Sequence, residues 1–212
     1  MKQSALKAFQ LFKKDPMGLF LILKALLKGM LYIAYFRTTK RKIKIEFPFF
    51  AYAPLRIYGN GKVHIHKNCS SRWNVFKGLT IVTLATEAEV IIGEACDLGG
   101  ITIRCLGKVI IGNRTLTANC LIQDTLIVNA NKCRSMTEHF EAAIAKSITV
   151  GPNTWLGATT CVLCGSSIGK ECVLAQGSVL LGDHVPAYHL AAGNPVIRNI
   201  RISALKALLN QL

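Results

Sequence analysis

Residues 150–185 read VGPNTW LGATTC VLCGSS IGKECV LAQGSV LLGDHV, six hexapeptides in unbroken succession. The first position of each is aliphatic, the fifth is small in five of the six, and the second is Gly or Ala in four. Neither the helical period of 3.6 residues nor the strand period of 2 explains a strict repeat of six. The repeat predicts short strands wound into a triangular coil, with three hexapeptides per turn, aliphatic side chains inside and glycine at the tight turns.

The same pattern recurs less regularly upstream. Ile92 and Gly93 begin one run, residues 111–116 form a clear repeat, and residues 63–69 form a degenerate one. The pattern stops at residues 129–147, which are largely polar and charged and therefore predict a loop, with or without a short helix, inserted into a coil. We predict an all-β solenoid domain over residues 46–200. A helical segment at residues 1–45 precedes it and a short helix at residues 201–212 follows it.

The positive charge of the chain is concentrated at its N-terminus. The protein has 212 residues, 26 Lys and Arg against 11 Asp and Glu, and a formal net charge of +15. Residues 1–62 contain 13 of those cations and two of the acids. A nucleic-acid-binding core would spread cations over its recognition surface, so we predict no nucleic-acid partner.

The N-terminal segment contains a long apolar helix. Asp15 and Pro16 are typical of an N-cap followed by proline at the first helical position. Residues 17–36 are long enough to span a bilayer, but Lys24 and Lys28 interrupt them, each at a cost of about +3 kcal/mol in a membrane centre. Three interpretations stay open: a helix on an anionic membrane surface, a helix packed on the protein's own core or on a subunit, and a spanning helix.

Eight cysteines have mostly aliphatic or small neighbours, which favours buried, reduced thiols in a cytosolic protein. Cys161 and Cys164 form a C-x-x-C pair, but no second pair stands at zinc spacing. His64 and His66 alternate along one early strand, where corner or surface positions are expected. The sequence therefore predicts no metal site.

Three motifs carry a resemblance to a known family. Residues 150–157 (VGPNTWLG) resemble I-G-x-x-x-W-I-G, residues 175–179 (AQGSV) resemble G-A-G-S-V, and residues 191–195 (AAGNP) resemble the A-G-N-P that ends the last coil. These motifs are similar to those of the hexapeptide-repeat acyltransferases, whose fold is a left-handed parallel β-helix. The resemblance covers about residues 60–200 and is nearest to bacterial O-acetyltransferases of surface sugars.

The resemblance implies a homotrimer that takes acetyl-CoA as co-substrate, with no tightly bound cofactor, in a groove between neighbouring subunits. Of the five histidines only His139 lies in the inserted loop, where the family places the base that deprotonates the acceptor hydroxyl. By their positions in the motifs, the residues expected to bind acetyl-CoA are Trp155, Gly157, Ala158, Gly177, Ser178, Asn194, Pro195 and Arg198.

The leading functional hypothesis is an acetyl-CoA-dependent O-acetyltransferase that acts on a cell-envelope sugar or a lipid-linked saccharide. The basic, apolar N-terminus would hold this cytoplasmic enzyme at the inner face of the cell membrane. One alternative is acyl transfer from acyl carrier protein, an acidic partner that the net charge would attract. The other is a catalytically silent trimeric β-helix scaffold.

Overall fold

The structure is a computed structural model that describes residues 15–39, 42–73, 78–127 and 143–204. His139, the base expected from the sequence, lies outside the described residues. The same is true of the first 14 residues, most of the insertion and residues 205–212.

Three parallel sheets form the sides of a left-handed triangular β-helix of about six turns, which confirms the predicted solenoid. We name these sides faces A, B and C in the order in which the chain visits them. Face A contains β1 (Ile43–Ile45), β4 (Lys62–Ile65), β7 (Glu89–Ile92), β10 (Lys108–Ile111), β15 (Ile148–Val150), β18 (Ser167–Ile168) and β21 (His184–Val185). Face B contains β2 (Phe49–Ala51), β5 (Cys69–Arg72), β8 (Asp97–Gly99), β11 (Leu116–Ala118), β16 (Trp155–Leu156), β19 (Val173–Leu174), β22 (His189–Gly193) and β23 (Val196–Arg201). Face C contains β3 (Leu55–Tyr58), β6 (Leu79–Thr83), β9 (Thr102–Cys105), β12 (Leu121–Gln123), β17 (Cys161–Leu163) and β20 (Val179–Leu181).

The hexapeptide pattern sets which side chains enter the core. All six first-position residues between Val150 and Leu180 are buried, with at most 4% of their surface exposed. The small fifth-position residues are buried as well, and their side chains bond to a neighbouring coil. Ser166 Oγ, for example, donates to the Leu180 carbonyl at 3.1 Å. A larger polar residue would not fit there, which explains the small residues of the repeat.

The tight turns lie at the fourth position of the repeat, where glycine is only one of the residues that adopt them. Asn153, Thr159 and Glu171 occupy fourth positions and have φ values of 57°, 59° and 55°. Glycine supplies the same left-handed backbone at Gly165 and Gly177. The second-position glycines serve a different purpose, because a Cβ there would collide with the backbone of the next coil.

One helix, α1 (Pro16–Thr39), packs across the first coil. The Gly18 amide donates to Asp15 Oδ1 at 2.8 Å, which confirms the predicted N-cap. Ala25, Gly29 and Phe36 are its buried residues. A Cβ at Gly29 would overlap the main-chain carbonyl of Phe49 in β2, so helix and strand approach as closely as they do because this position is glycine.

The helix buries one face only. By length and composition the helix could cross a membrane. Only 11% of its most apolar 18-residue stretch is buried in the protein. Large apolar side chains cover its outer face, including Phe20, Leu27 and Leu31, which are 59%, 58% and 71% exposed. Packing on the protein's own barrel therefore accounts for the buried stripe of Ala25, Gly29 and Phe36 and leaves the outer apolar surface uncovered.

Both ends of the β-helix differ in detail from the sequence prediction. The first ladder strand begins at Ile43, three residues before the expected domain boundary at residue 46. At the other end, β23 turns back and pairs antiparallel with β22, a strand that the sequence analysis missed. Residues 202–204, the last ones described, are helical, where a helix was expected from residue 201.

The insertion leaves the barrel between faces C and A. Its stem is an antiparallel ribbon of β13 (Thr125–Ile127) and β14 (Ala143–Ala145). The seven described cysteines are free thiols, and six of them are buried, as predicted.

Candidate active site

The motifs that resemble those of acyltransferases stack on one corner of the prism. This corner, which we call corner BC, consists of the segments that link each face B strand to the following face C strand. The Gly177 amide donates to the Ala158 carbonyl at 2.9 Å, and the Gly193 amide donates to Ser178 Oγ at 3.3 Å. Asn194 follows at once in the turn from β22 to β23, at the same edge of face B. Residues far apart in sequence thus form one column parallel to the barrel axis.

An open cavity of about 480 Å³ lies at this corner and on the adjoining part of face C. Its volume is within the range of ordinary small-molecule sites. Its exposed lining is largely apolar, and hydroxyl, amide and guanidinium groups border it. The residues include Thr102, Arg104, Asn119, Leu121, Thr159 and Cys161.

The residues expected to bind acetyl-CoA differ in whether their side chains are accessible to a ligand. Trp155 is 49% exposed on face B, two residues before Gly157, so its ring is free to stack on a ligand. The Ser178 side chain is buried, with 1% exposed, so this residue can offer a ligand its backbone alone. Arg198 is exposed on β23, opposite Ala192 in register, at the far end of the column.

The remaining members follow the same division between backbone and side chain. Gly157 is buried, and a Cβ there would meet the Leu174 carbonyl of the next coil. Asn194 and Pro195 are exposed at the tight turn between β22 and β23. Corner BC therefore offers mostly backbone to a ligand, with a few projecting side chains.

The thiols at the cavity are poor nucleophiles. Burial raises the pKa of Cys120 and also that of Cys161, so both are protonated at neutral pH. Thr160 Oγ1 also donates to the Cys120 sulfur at 3.2 Å, which ties that thiol into the core. Transfer through a thiolate of this cavity is therefore disfavoured, and direct attack by an acceptor is the chemistry that fits.

The described histidines do not reach the cavity. His64, His66 and His184 lie on or beside strands of face A, which is opposite corner BC in a triangular prism. His189 begins β22 on face B, and its ring Nδ1 lies 2.8 Å from the Ala187 carbonyl. Within the described part of the chain, the cavity therefore contains no histidine that could serve as a base.

A buried carboxylate, which sequence reasoning missed, anchors the insertion. Asp124 is fully buried between β12 and β13 and accepts hydrogen bonds from the amides of Leu106 and Gly107 at 2.8 and 2.7 Å. Its carbonyl accepts the Lys146 amide at 3.1 Å, just beyond β14. Both ends of the stem are therefore held at a fixed point of the barrel. The sequence does contain a signal for this anchor, because Asp124 is a single aspartate between an apolar strand and a polar insertion.

A second cavity, which we call the helix groove, lies on the same corner at the first two coils. It has a volume of about 460 Å³ and an almost entirely apolar lining. The helix contributes Lys28, Leu31 and Tyr35, and corner BC contributes Pro54 and Trp73. Trp73 is 62% exposed. One corner of the barrel thus carries two cavities of similar volume and largely apolar lining, one beside the helix and one further along the axis.

Comparison with known proteins finds related sequences over part of the chain, while no protein-family model matches it. YJL218W of Saccharomyces cerevisiae, provisionally named an acetyltransferase, is 45% identical over 58 residues, which are 26% of this chain and 29% of that protein. Rv3034c of Mycobacterium tuberculosis, named in similar terms, is 37% identical over 65 residues, which are 30% of this chain and 21% of that protein. The chain thus matches less than a third of the length of either relative.

Solved structures share the fold across most of the chain. A point mutant of AntD, an N-acyltransferase from Bacillus cereus in complex with dTDP-4-amino-4,6-dideoxyglucose and coenzyme A, superposes with a TM-score of 0.61 at 12% identity, covering 84% of this chain and 95% of AntD. The polySia-specific acetyltransferase NeuO superposes with a TM-score of 0.56 at 24% identity, covering 75% of this chain and 70% of NeuO. At such identities the likeness establishes the fold alone.

The repeat, the left-handed coil and the related sequences agree with one another. The hexapeptide pattern recurs over six consecutive units, and the sides of the coil are parallel ladders like those of the solved acyltransferases. The chain therefore has the left-handed β-helix fold of these acyltransferases, and it is similar over less than a third of its length to proteins named acetyltransferases.

Proposed function

We propose that the protein is an acetyl-CoA-dependent O-acetyltransferase whose acceptor is a cell-envelope sugar or a lipid-linked saccharide. The observation that carries this proposal is the column on corner BC, where backbone of four successive coils adjoins a cavity of about 480 Å³. Backbone exposed along a corner can follow an extended pantetheine arm without any side chain having to move. The relatives named as acetyltransferases and the sugar acyltransferases of the same fold support this choice.

In the proposed reaction the acceptor hydroxyl attacks the thioester carbonyl of acetyl-CoA directly. The C–S bond breaks, the acetyl group moves to the acceptor oxygen, and the hydroxyl proton passes to a base and on to the leaving thiolate. Trp155 packs against the mobile arm, and Arg104 and Arg198 are the exposed cations near corner BC that can meet its phosphates. The protonated thiols of the cavity take no part.

The base is proposed to be His139 of a neighbouring subunit. The stem of the insertion leaves the barrel at the edge of face C that is opposite corner BC. A loop from that edge has face C between itself and its own cavity, whereas a subunit packed alongside presents its corner BC directly. Exposed apolar side chains support such packing: Leu126 and Ile144 on the ribbon are 41% and 46% exposed, and Leu181 on face C is 46% exposed. The proposed assembly is a homotrimer.

Calorimetric titration of the full chain with acetyl-CoA tests the groove. Thr159→Trp places a bulky ring at the cavity, and we expect it to abolish binding, whereas Glu171→Trp should bind like the wild type. The two positions match because both are exposed fourth-position residues with φ near 60°. If both variants bind acetyl-CoA with equal affinity, the acetyl-CoA site does not lie at corner BC. If the wild type does not bind acetyl-CoA, the proposed activity is refuted.

We further propose that helix α1 holds the enzyme on the anionic inner face of the membrane. Its outer face is apolar, and the exposed Lys24 and Lys28 lie beside that face, where they can reach lipid headgroups. The helix groove lies on the first two coils of corner BC and the cavity on the third to fifth, so their centres are about 12 Å apart at 4.8 Å per strand. A lipid-linked saccharide fits this arrangement, with its lipid at the helix groove and its sugar at the cavity.

Sedimentation with vesicles that contain anionic lipid tests the surface of the helix. The double substitution Leu27→Glu and Leu31→Glu should release the protein from vesicles at low salt. The control, Thr38→Glu with Thr39→Glu, changes the net charge equally on an already polar part of the helix. Release of both variants alike would assign the attraction to net charge rather than to the apolar face, and a wild type that never sediments would refute membrane binding.

A catalytically silent trimeric scaffold is the second candidate, and one observation favours it. The described residues of the cavity include no base. Light scattering should show a trimer for both candidates, so turnover is the measurement that separates them. A trimer that neither binds acetyl-CoA nor transfers an acetyl group to any saccharide would establish the scaffold.

A further inference from the structure

Two histidines and a glutamate meet on the first two coils, at the edge of face A. Parallel pairing of β1 with β4 places Lys44 opposite His64, and it brings the next outward residues, Glu46 and His66, side by side. His64 Nε2 lies 2.9 Å from Glu46 Oε1, and His66 Nδ1 lies 3.2 Å from Glu46 Oε2. The two imidazole centroids are 4.0 Å apart. Each oxygen of the Glu46 carboxylate thus lies next to one imidazole nitrogen, and one ligand atom from each of the three residues lies within 4.8 Å of the others.

We propose that Glu46, His64 and His66 bind a divalent first-row transition-metal ion, with Zn²⁺ as the best match. Zinc takes imidazole nitrogen and carboxylate oxygen at about 2.0–2.2 Å, which separates neighbouring ligand atoms by roughly 2.9–3.5 Å in octahedral or tetrahedral geometry. The separations of 2.9 Å to Oε1 and 3.2 Å to Oε2 fall within that range, and one ligand atom from each residue lies within 4.8 Å of the other two. Calcium and magnesium prefer all-oxygen sites, so the two nitrogens favour zinc and its neighbours.

The surroundings suit an ion that keeps positions open to solvent. The three side chains are about one-third exposed or less, at 27% for Glu46, 30% for His64 and 32% for His66. Hydrogen bonds from His64, Lys44 and His66 lower the pKa of Glu46 to about 2, so the carboxylate is ionised at neutral pH. Three protein ligands and an open remainder is the arrangement of zinc sites that retain exchangeable water.

One neighbour competes with the ion for the carboxylate. Lys44 Nζ lies 3.1 Å from Glu46 Oε1, and its side chain is 67% exposed. A long, exposed lysine can turn away into water at little cost, since surface ion pairs of this kind contribute at most about 1 kcal/mol. Binding would replace that pair and the contacts between imidazole and carboxylate with three metal–ligand bonds. The ion would then tie β1 to β4, the strands that hold the first coil to the second.

Titration of the chelator-treated full chain with Co²⁺ and then Zn²⁺ tests the site. We expect one ion per chain, a visible Co²⁺ absorption band that Zn²⁺ displaces, and a rise in the melting temperature with Zn²⁺. Glu46→Gln and His64→Gln should each weaken binding by about 10–100-fold or more, since even residues outside the first ligand sphere have effects of that size. His184→Gln is the matched control, because His184 lies on the same face at the other end of the barrel and should leave binding unchanged.

Lys44→Met supplies a second test that does not remove a ligand. It should tighten binding by abolishing the competing ion pair, and it keeps all three ligands in a folded protein. Absence of binding at millimolar Zn²⁺ in both the wild type and Lys44→Met would overturn the proposal. So would binding that His184→Gln weakens as much as His64→Gln does. Neither readout depends on acetyl transfer, so the metal site stands or falls separately from the proposed enzyme.

Discussion

The coils built from residues 150–185 and those built from residues 43–83 share one architecture but use it differently. In the first region Val150 pairs with Ile168 and Val162 with Leu180, offsets of 18 residues, and Ile168 pairs with Val185 at an offset of 17. In the second Ile43 pairs with Val63 and Val63 with Val90, offsets of 20 and 27. An offset of about 18 residues is taken up almost entirely by the three strands and their tight turns. The regular coils therefore present mostly backbone at their corners. The longer connections of the irregular coils allow side chains to gather, as they do around Glu46 and beside α1.

Removal of the proposed base should produce the largest effect and sharpen this comparison. His139 belongs to the insertion, outside the regular coils, while the groove belongs to the regular coils themselves. His139→Ala should lower acetyl transfer by on the order of 10²–10⁴ and leave acetyl-CoA affinity almost unchanged. Rates with a saccharide acceptor and calorimetric binding measure the two quantities separately. His189→Ala is the control, and undiminished turnover in His139→Ala would send the search to another base.

Core truncation should cost more in the regular region than at the end of the irregular one. Leu156 is fully buried in β16, between β11 and β19, whereas Ile43 lies in β1, which has a single neighbouring strand. Leu156→Ala should lower the free energy of unfolding by about 2–5 kcal/mol, with Ile43→Ala near the bottom of that range. Urea denaturation measures both. A larger loss at Ile43 would show that the helical end, rather than the regular ladder, dominates stability.

A single added methyl group at Gly29 should disrupt the close contact between α1 and β2. Gly29→Ala should destabilise the protein by about 1–3 kcal/mol, because the added methyl group meets main-chain atoms of Phe49, which cannot turn aside. Gly18→Ala is the control on the same helix, since a Cβ there meets the flexible side chain of Asp15. Its effect should stay within about 1 kcal/mol of the wild type. Equal melting temperatures for the two variants would mean that α1 does not dock as described.

The smallest expected effect concerns an ion pair on face A between the two regions. Lys108 Nζ lies 2.7 Å from Glu89 Oε2, and its hydrogen bond lowers the pKa of Glu89. A lowered carboxyl pKa stabilises the folded state above the unfolded value of 4.5, and this contribution disappears as the pH falls through the folded value. Both side chains are about one-third exposed or more, so solvent screening limits the effect to under about 1 kcal/mol. Glu89→Gln should lower the melting temperature slightly at pH 7, and this difference should shrink as the pH falls below 4.5.

The sequence predicts best those features that depend only on neighbouring residues in the chain. The inward aliphatic residues and the Asp15 cap follow from local spacing, and the structure confirms them. The cluster of Glu46 with His64 and His66 could not be predicted, because it depends on a register between strands whose connection has no fixed length. Strand β23 was missed for a similar reason, since its pairing partner decides its conformation. The base stays a prediction, as His139 lies outside the described residues.

The two ends of a β-ladder are sites at which a protein can aggregate. Each terminal coil offers unpaired backbone groups that a second copy could extend, and a solenoid with two bare ends would polymerise into a fibre. This protein closes both ends with its own chain: α1 lies against the Phe49 carbonyl at one end, and β23 folds back on β22 at the other. Gly29 is therefore also a solubility determinant, because without it the first coil would be left open to another molecule.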